Sequence, residues 1–64
     1  MLRKGNTGDA VKTLQAKLNA LGYDCGTVDG VFGNNTYNAV VKFQTAMGIG
    51  VDGVVGAQTW AKLG

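Results

Sequence analysis

The sequence predicts an all-α fold, a small three-helix bundle of repeated turn–helix units with Gly-rich loops. Two observations carry this. The stretch VDGVFGNNTY, Val28 to Tyr37, is respelled as VDGVVGAQTW, Val51 to Trp60, 23 positions further along. Asp29, Gly30, Val31, Gly33 and Thr36 return as Asp52, Gly53, Val54, Gly56 and Thr59, and Tyr37 returns as the aromatic Trp60. A fixed offset of this kind marks one supersecondary unit used more than once. The second observation is a degenerate earlier copy, GNTG at Gly5 to Gly8. Each of the three G-x-x-G turns, GNTG, GVFG and GVVG, precedes a stretch that reads as helix.

The first helix is expected from about Asp9 to Ala20. Val11, Leu14, Leu18 and Leu21 fall on one helical face, while Lys12, Lys17 and Asn19 point away. Thr7 or Asp9 supplies the N-cap, and Gly22 fits the left-handed position beyond the end. The second helix is expected from about Asn35 to Met47. Its apolar residues, Ala39, Val40, Val41, Phe43, Ala46 and Met47, cover a wide arc, as in a helix contacted from two sides. Gly48 ends it as Gly22 ends the first. The third helix, about Ala57 to Leu63, is short and places Trp60 and Leu63 on one face. Between the helices, each Val-Asp-Gly-Val core reads as a tight turn in which Asp accepts from amides just ahead and Gly takes φ > 0. Val28, Val31 and Phe32 flank the first turn, and Val51, Val54 and Val55 the second. They are expected as apolar plugs that pin loops rather than as strands.

Gln15 and Gln44 interrupt this pattern. Gln15 follows Val11 by four positions and precedes Leu18 by three; Gln44 follows Val40 by four and precedes Met47 by three. Both carboxamides are therefore directed at the core, where an unpaired amide costs a few kcal/mol. The expectation is that each reaches across to a Gly-rich turn and ties it down, satisfying both sides. Ligand binding is the alternative role. Asp29, Gly30, Asp52 and Gly53 are read as structural for the same reason.

The composition restricts the chemistry. The 64 residues contain no His, Glu, Ser or Pro, a single Cys, eleven Gly and a formal net charge of +2. One domain of this size buries only about 60% of the surface its unfolded chain exposes. No zinc ligand set can be assembled, so no metal and no cofactor are expected. A nucleophile would have no His to activate it, and Asp29 and Asp52 have turn-forming roles instead of acid–base ones. Catalytic residues are accordingly expected to be none. G-x-x-G without a strand–helix unit is a weak phosphate signal. Cys25, beside Asp24 and without a basic neighbour, reads as an inert thiol. The basic residues are scattered, which argues against nucleic acid, and the last helix offers only Gln58 and Lys62 as base-reading groups. No apolar run approaches the roughly 18 residues of a membrane span, and no export signal is readable in the chain.

Ligand-binding candidates come from exposure and polarity. Asn34, Asn35 and Gln58 stand at helix starts, and one of the two asparagines is also expected to cap its helix. Tyr23 and Tyr37 are candidate stacking surfaces. Trp60 is expected to anchor the last helix in the core.

Taken together, G-x-x-G-x-x-V-x-x-L-Q-x-x-L-x-x-L-G-Y over Gly5 to Tyr23, D-G-x-F-G-x-x-T over Asp29 to Thr36, A-V-x-x-F-Q over Ala39 to Gln44, and D-G-x-V-G-x-x-T-W-x-x-L over Asp52 to Leu63 form one pattern. It resembles the three-helix peptidoglycan-binding domain of bacterial cell-wall hydrolases. The resemblance covers essentially the whole chain, so residues 1–64 are read as one such domain. It implies a non-catalytic module that holds a linked amidase, peptidase, transpeptidase or muramidase against peptidoglycan, through glycan strands or stem peptides, outside the cell. Neither nucleic acid nor membrane is implied as a partner. The alternative is a protein-interaction or intramolecular docking module that packs on a linked catalytic domain.

Overall fold

The glycine-bounded turns set where the helices begin. A computed structural model describes the whole chain, Met1 to Gly64. Helix α1 spans Asp9–Ala20, α2 spans Asn34–Met47 and α3 spans Ala57–Leu63. Their N-caps are Gly8, Gly33 and Gly56, the second glycine of each G-x-x-G turn. The glycine carbonyls accept the first helical bonds, from the N–H groups of Lys12, Tyr37 and Trp60 at 3.2, 2.9 and 3.0 Å respectively. This corrects the sequence expectation for the caps. Neither Thr7, Asp9, Asn34 nor Asn35 makes a side-chain cap, because the turn itself supplies the capping residue. Asn34 and Asn35 instead open the first turn of α2.

The first two helices close alike. Tyr23 donates to the Leu18 carbonyl and Gly22 to Asn19; Ile49 donates to Gln44 and Gly48 to Thr45. These paired bonds, with glycine at positive φ, occupy carbonyls the helix leaves open.

The core takes one face from each helix and one plug from each turn. Val11, Leu14 and Leu18 come from α1, Ala39, Val40 and Phe43 from α2, and Leu63 from α3. Phe32 and Val55, at equivalent places in the repeat, insert from the turns. Of the other flanking valines, Val28, Val31 and Val51 do not plug, being 42%, 49% and 49% exposed, and Val54 is half-buried. Successive residues of extended backbone point to opposite sides, so burying Phe32 turns Val31 outward. Two further expectations need correction. Leu21 is 50% exposed because it lies past the last helical residue. The arc of α2 is narrower than its apolar residues imply: Ala46 and Met47 are exposed, and the buried face is Thr36, Ala39, Val40, Phe43 and Gln44.

The N-terminal segment stitches the turns together. Leu2 and Val55 exchange backbone bonds of 3.0 and 2.7 Å, and Thr7 bridges Val31 through Gly8 N–H to Gly30 O and Phe32 N–H to Asn6 O, each 2.9 Å. These are isolated bridges between loops, and no strand forms.

The aromatic side chains pack around this frame. Tyr23 meets Phe43 edge-on, with centroids 5.4 Å apart and planes at 86°. Tyr37 lays its ring over Gly53, and the Lys4 ammonium stands 5.2 Å from the ring centroid. Trp60 is half-buried against the core.

Glycine is required at two places. Gly30 and Gly53 have φ of 77° and 71°, a region that side chains rarely adopt. A Cβ on Gly30 would stand 3.2 Å from the Gly8 carbonyl oxygen and the Lys12 stem, and a Cβ on Gly53 would run into the Tyr37 ring. Gly30→Ala should therefore destabilise the fold by about 1 kcal/mol or more. Gly53→Ala should cost a further amount of about 1–3 kcal/mol, because the ring must also be displaced. Gly50→Ala, with open space around it, should stay within about 0.5 kcal/mol. Urea melts of the three variants check this order; a Gly50 variant as damaging as the Gly53 variant would contradict it.

Candidate functional site

Each turn of the repeat is held from below by a glutamine. Gln15 is 1% exposed. Its amide nitrogen donates to Asp29 Oδ1 at 3.1 Å, to the Val31 carbonyl at 3.0 Å and to Thr36 Oγ1 at 3.1 Å, and its Oε1 accepts from Gly30 N–H at 2.9 Å. Gln44, also 1% exposed, repeats the set. It donates to Asp52 Oδ1 at 3.1 Å, the Val54 carbonyl at 3.0 Å and Thr59 Oγ1 at 3.1 Å, and accepts from Asp52 and Gly53 N–H at 3.2 and 3.0 Å. Three acceptors face one end of each carboxamide and backbone N–H faces the other, so the amide orientation is fixed by its partners. No buried side-chain polar atom lacks a partner.

Each aspartate closes its own turn. Asp29 Oδ1 accepts from Val31 N–H and Asp52 Oδ1 from Val54 N–H, both at 2.9 Å. These backbone bonds, and after them the glutamine amides, hold both carboxyls below the ordinary value of 3.8.

The two loops differ in length and share the clamp. Fourteen positions separate Gln15 from Asp29, and eight separate Gln44 from Asp52. The longer closure costs only about 0.5 kcal/mol more in chain entropy. Its extra residues are tied by Asn19, which the sequence placed on the outer face of α1. Asn19 is half-buried, accepts from Cys25 N–H at 2.9 Å and donates to the Gly26 carbonyl at 3.1 Å. Its neighbours offered no apolar period to signal that role. Cys25 is buried, and its thiol donates to the Gln15 carbonyl at 3.4 Å. Burial foremost raises its pKa; its own backbone N–H opposes this, and Asp24 and Asp29 add lesser upward effects.

Above each clamp lies an open depression. The first, about 410 Å³, has Gln15, Cys25 and Thr36 at its floor and Thr27, Asp29, Asn34 and Asn35 around it. The second, about 250 Å³, is its repeat-related counterpart. Gln44, Asp52, Thr59 and Gln58 stand where Gln15, Asp29, Thr36 and Asn35 stand in the first. Ala57 replaces Asn34, and Met1 lies along the second depression against Gly56. Of the candidate ligand residues, Asn34 and Asn35 are brought together in the larger depression and Gln58 lines the smaller. Tyr23 and Tyr37 line neither, and both are half-buried. Thr27 and the floor threonine Thr36 were not among those candidates. The repetition of Thr36 as Thr59 marks the position, but only the folded chain shows it beneath a depression. No group of three or more His, Cys, Asp or Glu side chains that could hold a metal ion comes together. No helix is long and apolar enough to cross a membrane.

Residues 7–63 match the family model described as "Putative peptidoglycan binding domain". The chain belongs to this family. Among other members, it is 50% identical over 60 residues to the spore cortex-lytic enzyme of Bacillus subtilis, covering 92% of this chain and 20% of the enzyme. It is 46% identical over 56 residues to the N-acetylmuramoyl-L-alanine amidase CwlM of Mycobacterium tuberculosis, covering 88% of this chain and 14% of the amidase. A Kitasatospora aureofaciens protein of uncharacterised role is 55% identical over 64 residues, and the chain spans 54% of its length. The solved SleB N-terminal domain superposes with a TM-score of 0.94 at 44% identity, covering 97% of this chain and 85% of that one. The family fold is thus the all-α three-helix arrangement described above.

The clamp generates two expectations. Gln44→Leu keeps roughly the side-chain volume but leaves Gly53 N–H and the Val54 carbonyl unpaired. It should lower stability by about 1–3 kcal/mol, read as a lower urea midpoint at unchanged m-value. Unchanged stability would mean that the glutamine does not hold the turn.

The second expectation concerns pH. Because Asp29 and Asp52 bind protons less readily when folded, the unfolded chain takes up more protons on acidification. Their contribution is present above the ordinary carboxylate pKa and is lost as pH falls through the lower folded values. Urea midpoints should therefore decline as pH drops below about 4. The double variant Asp29→Asn, Asp52→Asn should show a flatter acid limb. An identical acid limb would place the proton-linked stability elsewhere.

Proposed function

We propose that this chain is a non-catalytic peptidoglycan-binding module, residues 1–64 forming one domain, which holds a linked cell-wall hydrolase against its polymeric substrate. One observation carries the reading. A chain matched over nearly its whole length by the family model corresponds to only 20% of a spore cortex-lytic enzyme and 14% of an amidase. A segment of that size, repeated beside wall-acting enzymes, is suited to targeting. It would place the module outside the cell, in the wall.

Asn34 and Asn35 are the ligand contacts we favour, at the larger depression, with Gln58 at the related place in the smaller one. Tyr23 and Tyr37 would serve as flanking aromatic contacts through whatever ring surface packing leaves exposed. Side-chain amides both donate and accept, which suits the amides and hydroxyls of stem peptides and glycan strands. A weak single site is adequate, because a wall presents many copies and a tethered enzyme gains effective concentration from each.

Co-sedimentation of the pure chain with purified wall sacculi tests the proposal. Binding without release of soluble muropeptides is expected. Release of muropeptides would contradict a non-catalytic role, and failure to sediment would contradict the binding role. Asn35→Ala should weaken sedimentation while changing stability by no more than about 0.5 kcal/mol. Undiminished sedimentation by this variant would remove Asn35 from the contact surface.

A further inference from the structure

The sequence contains two Asp-Gly bonds, Asp29–Gly30 and Asp52–Gly53, and both lie inside a glutamine clamp. Asp-Gly is the dipeptide most open to cyclisation, since no side chain on the second residue shields its amide. The glycine nitrogen attacks the aspartate Cγ. From the protonated carboxyl, a C–N bond forms, a Cγ–O bond breaks, and one water departs, made of the carboxyl hydroxyl and the amide proton. Water then opens the resulting succinimide. Attack at Cγ restores aspartate, and attack at the main-chain carbonyl yields isoaspartate, in which the backbone runs through the side-chain carbon.

We infer that the two glutamine clamps hold this reaction off, making Asp29 and Asp52 latent isomerisation sites that become active when a clamp opens. Three features of the geometry support this. The nucleophile is engaged: Gly30 N–H donates to Gln15 Oε1 at 2.9 Å, and Gly53 N–H to Gln44 Oε1 at 3.0 Å. Both glycines are buried. The carboxyl is engaged as well, because each Oδ1 is held by the N–H two residues ahead and by the glutamine amide. Cyclisation requires the glycine nitrogen to leave the glutamine oxygen and the carboxyl to give up its hydrogen bonds. The hydrogen bonds that hold both carboxyls in the ionised form act in the same direction, since a carboxylate is a poor electrophile.

The consequence is directional. Isoaspartate adds a backbone atom within the turn, and the clamp that prevented the change cannot close over the product. A module that opens transiently would therefore lose its turns one at a time and irreversibly without repair. This inference does not depend on what the module binds.

The two clamps provide an internal control. The full chain, its Gln44→Leu variant and its Gln15→Leu variant would be incubated at near-neutral pH, and isoaspartate would be quantified at each aspartate by peptide mapping with enzymatic methylation as a second readout. Short peptides spanning each turn give the unclamped rates. In the unsubstituted chain both sites should isomerise at least about tenfold more slowly than in the peptides, a ratio equivalent to about 1.4 kcal/mol of local closure. Gln44→Leu should accelerate Asp52 and leave Asp29 slow; Gln15→Leu should do the reverse. If a variant accelerates both sites equally, general unfolding rather than the local clamp controls the reaction, and the inference fails. It fails equally if the unsubstituted chain isomerises as fast as the peptides. Should Gln15→Leu not fold, the Gln44→Leu comparison of Asp52 with Asp29 decides alone.

Discussion

A carboxamide buried in a helix face, donating at one end and accepting at the other, is the interaction on which this fold depends. The chain has few other means of ordering its loops. It contains no disulfide and no strand, and its core comprises ten buried apolar residues. Its connections are rich in glycine, whose backbone loses the most freedom on folding. Apolar plugs alone would position Phe32 and Val55 without fixing the turns that carry them. Gln15 and Gln44 fix those turns by each joining a carboxylate, a carbonyl, a hydroxyl and main-chain amide, one N–H at Gln15 and two at Gln44. Because the glutamines lie at the middle of α1 and the end of α2, each helix organises the turn that starts the next. The three units are coupled in sequence order as a result.

That coupling explains why ten residues are spelled nearly twice. The aspartate closes the turn, the glycine permits it, the next two positions place one valine outside and one plug inside, and the threonine three residues into the helix receives the glutamine. The depressions above the clamps inherit the same repetition, and they diverge only where the clamp makes no demand. Asn34 becomes Ala57 and Asn35 becomes Gln58, both on exposed surface.

Much of the frame was legible in the sequence because its signals are local. The spans of α1 and α3 follow from apolar spacing, and the ends of α1 and α2 from Gly22 and Gly48. The direction of Gln15 and Gln44 into the core follows from their place in the apolar stripe. What was not legible depends on tertiary geometry. Glycine caps all three helices, including the first two, where threonine, aspartate or asparagine is expected, because the turn delivers its second glycine to the cap position. Leu21 and Met47 were assigned to apolar faces that the helix ends leave in solvent. Asn19 looked like an outer-face residue, since nothing in its local pattern shows that the longer loop folds back over it. At the candidate site, the exposure of Asn34 and Asn35 was readable, whereas their position beside a depression floored by Thr36 required the folded chain.

The central claim, that the glutamines hold the turns, is tested most directly by native-state hydrogen exchange at two loop amides. Gly30 and Gly53 N–H donate to a glutamine side chain and to no backbone carbonyl. If the clamps hold the turns, both amides should exchange far more slowly than exposed loop amides, and Gln44→Leu should release Gly53 while leaving Gly30 protected. Exchange of both amides as fast as that of exposed loop amides would show that the glutamines do not hold the turns, and would contradict the account.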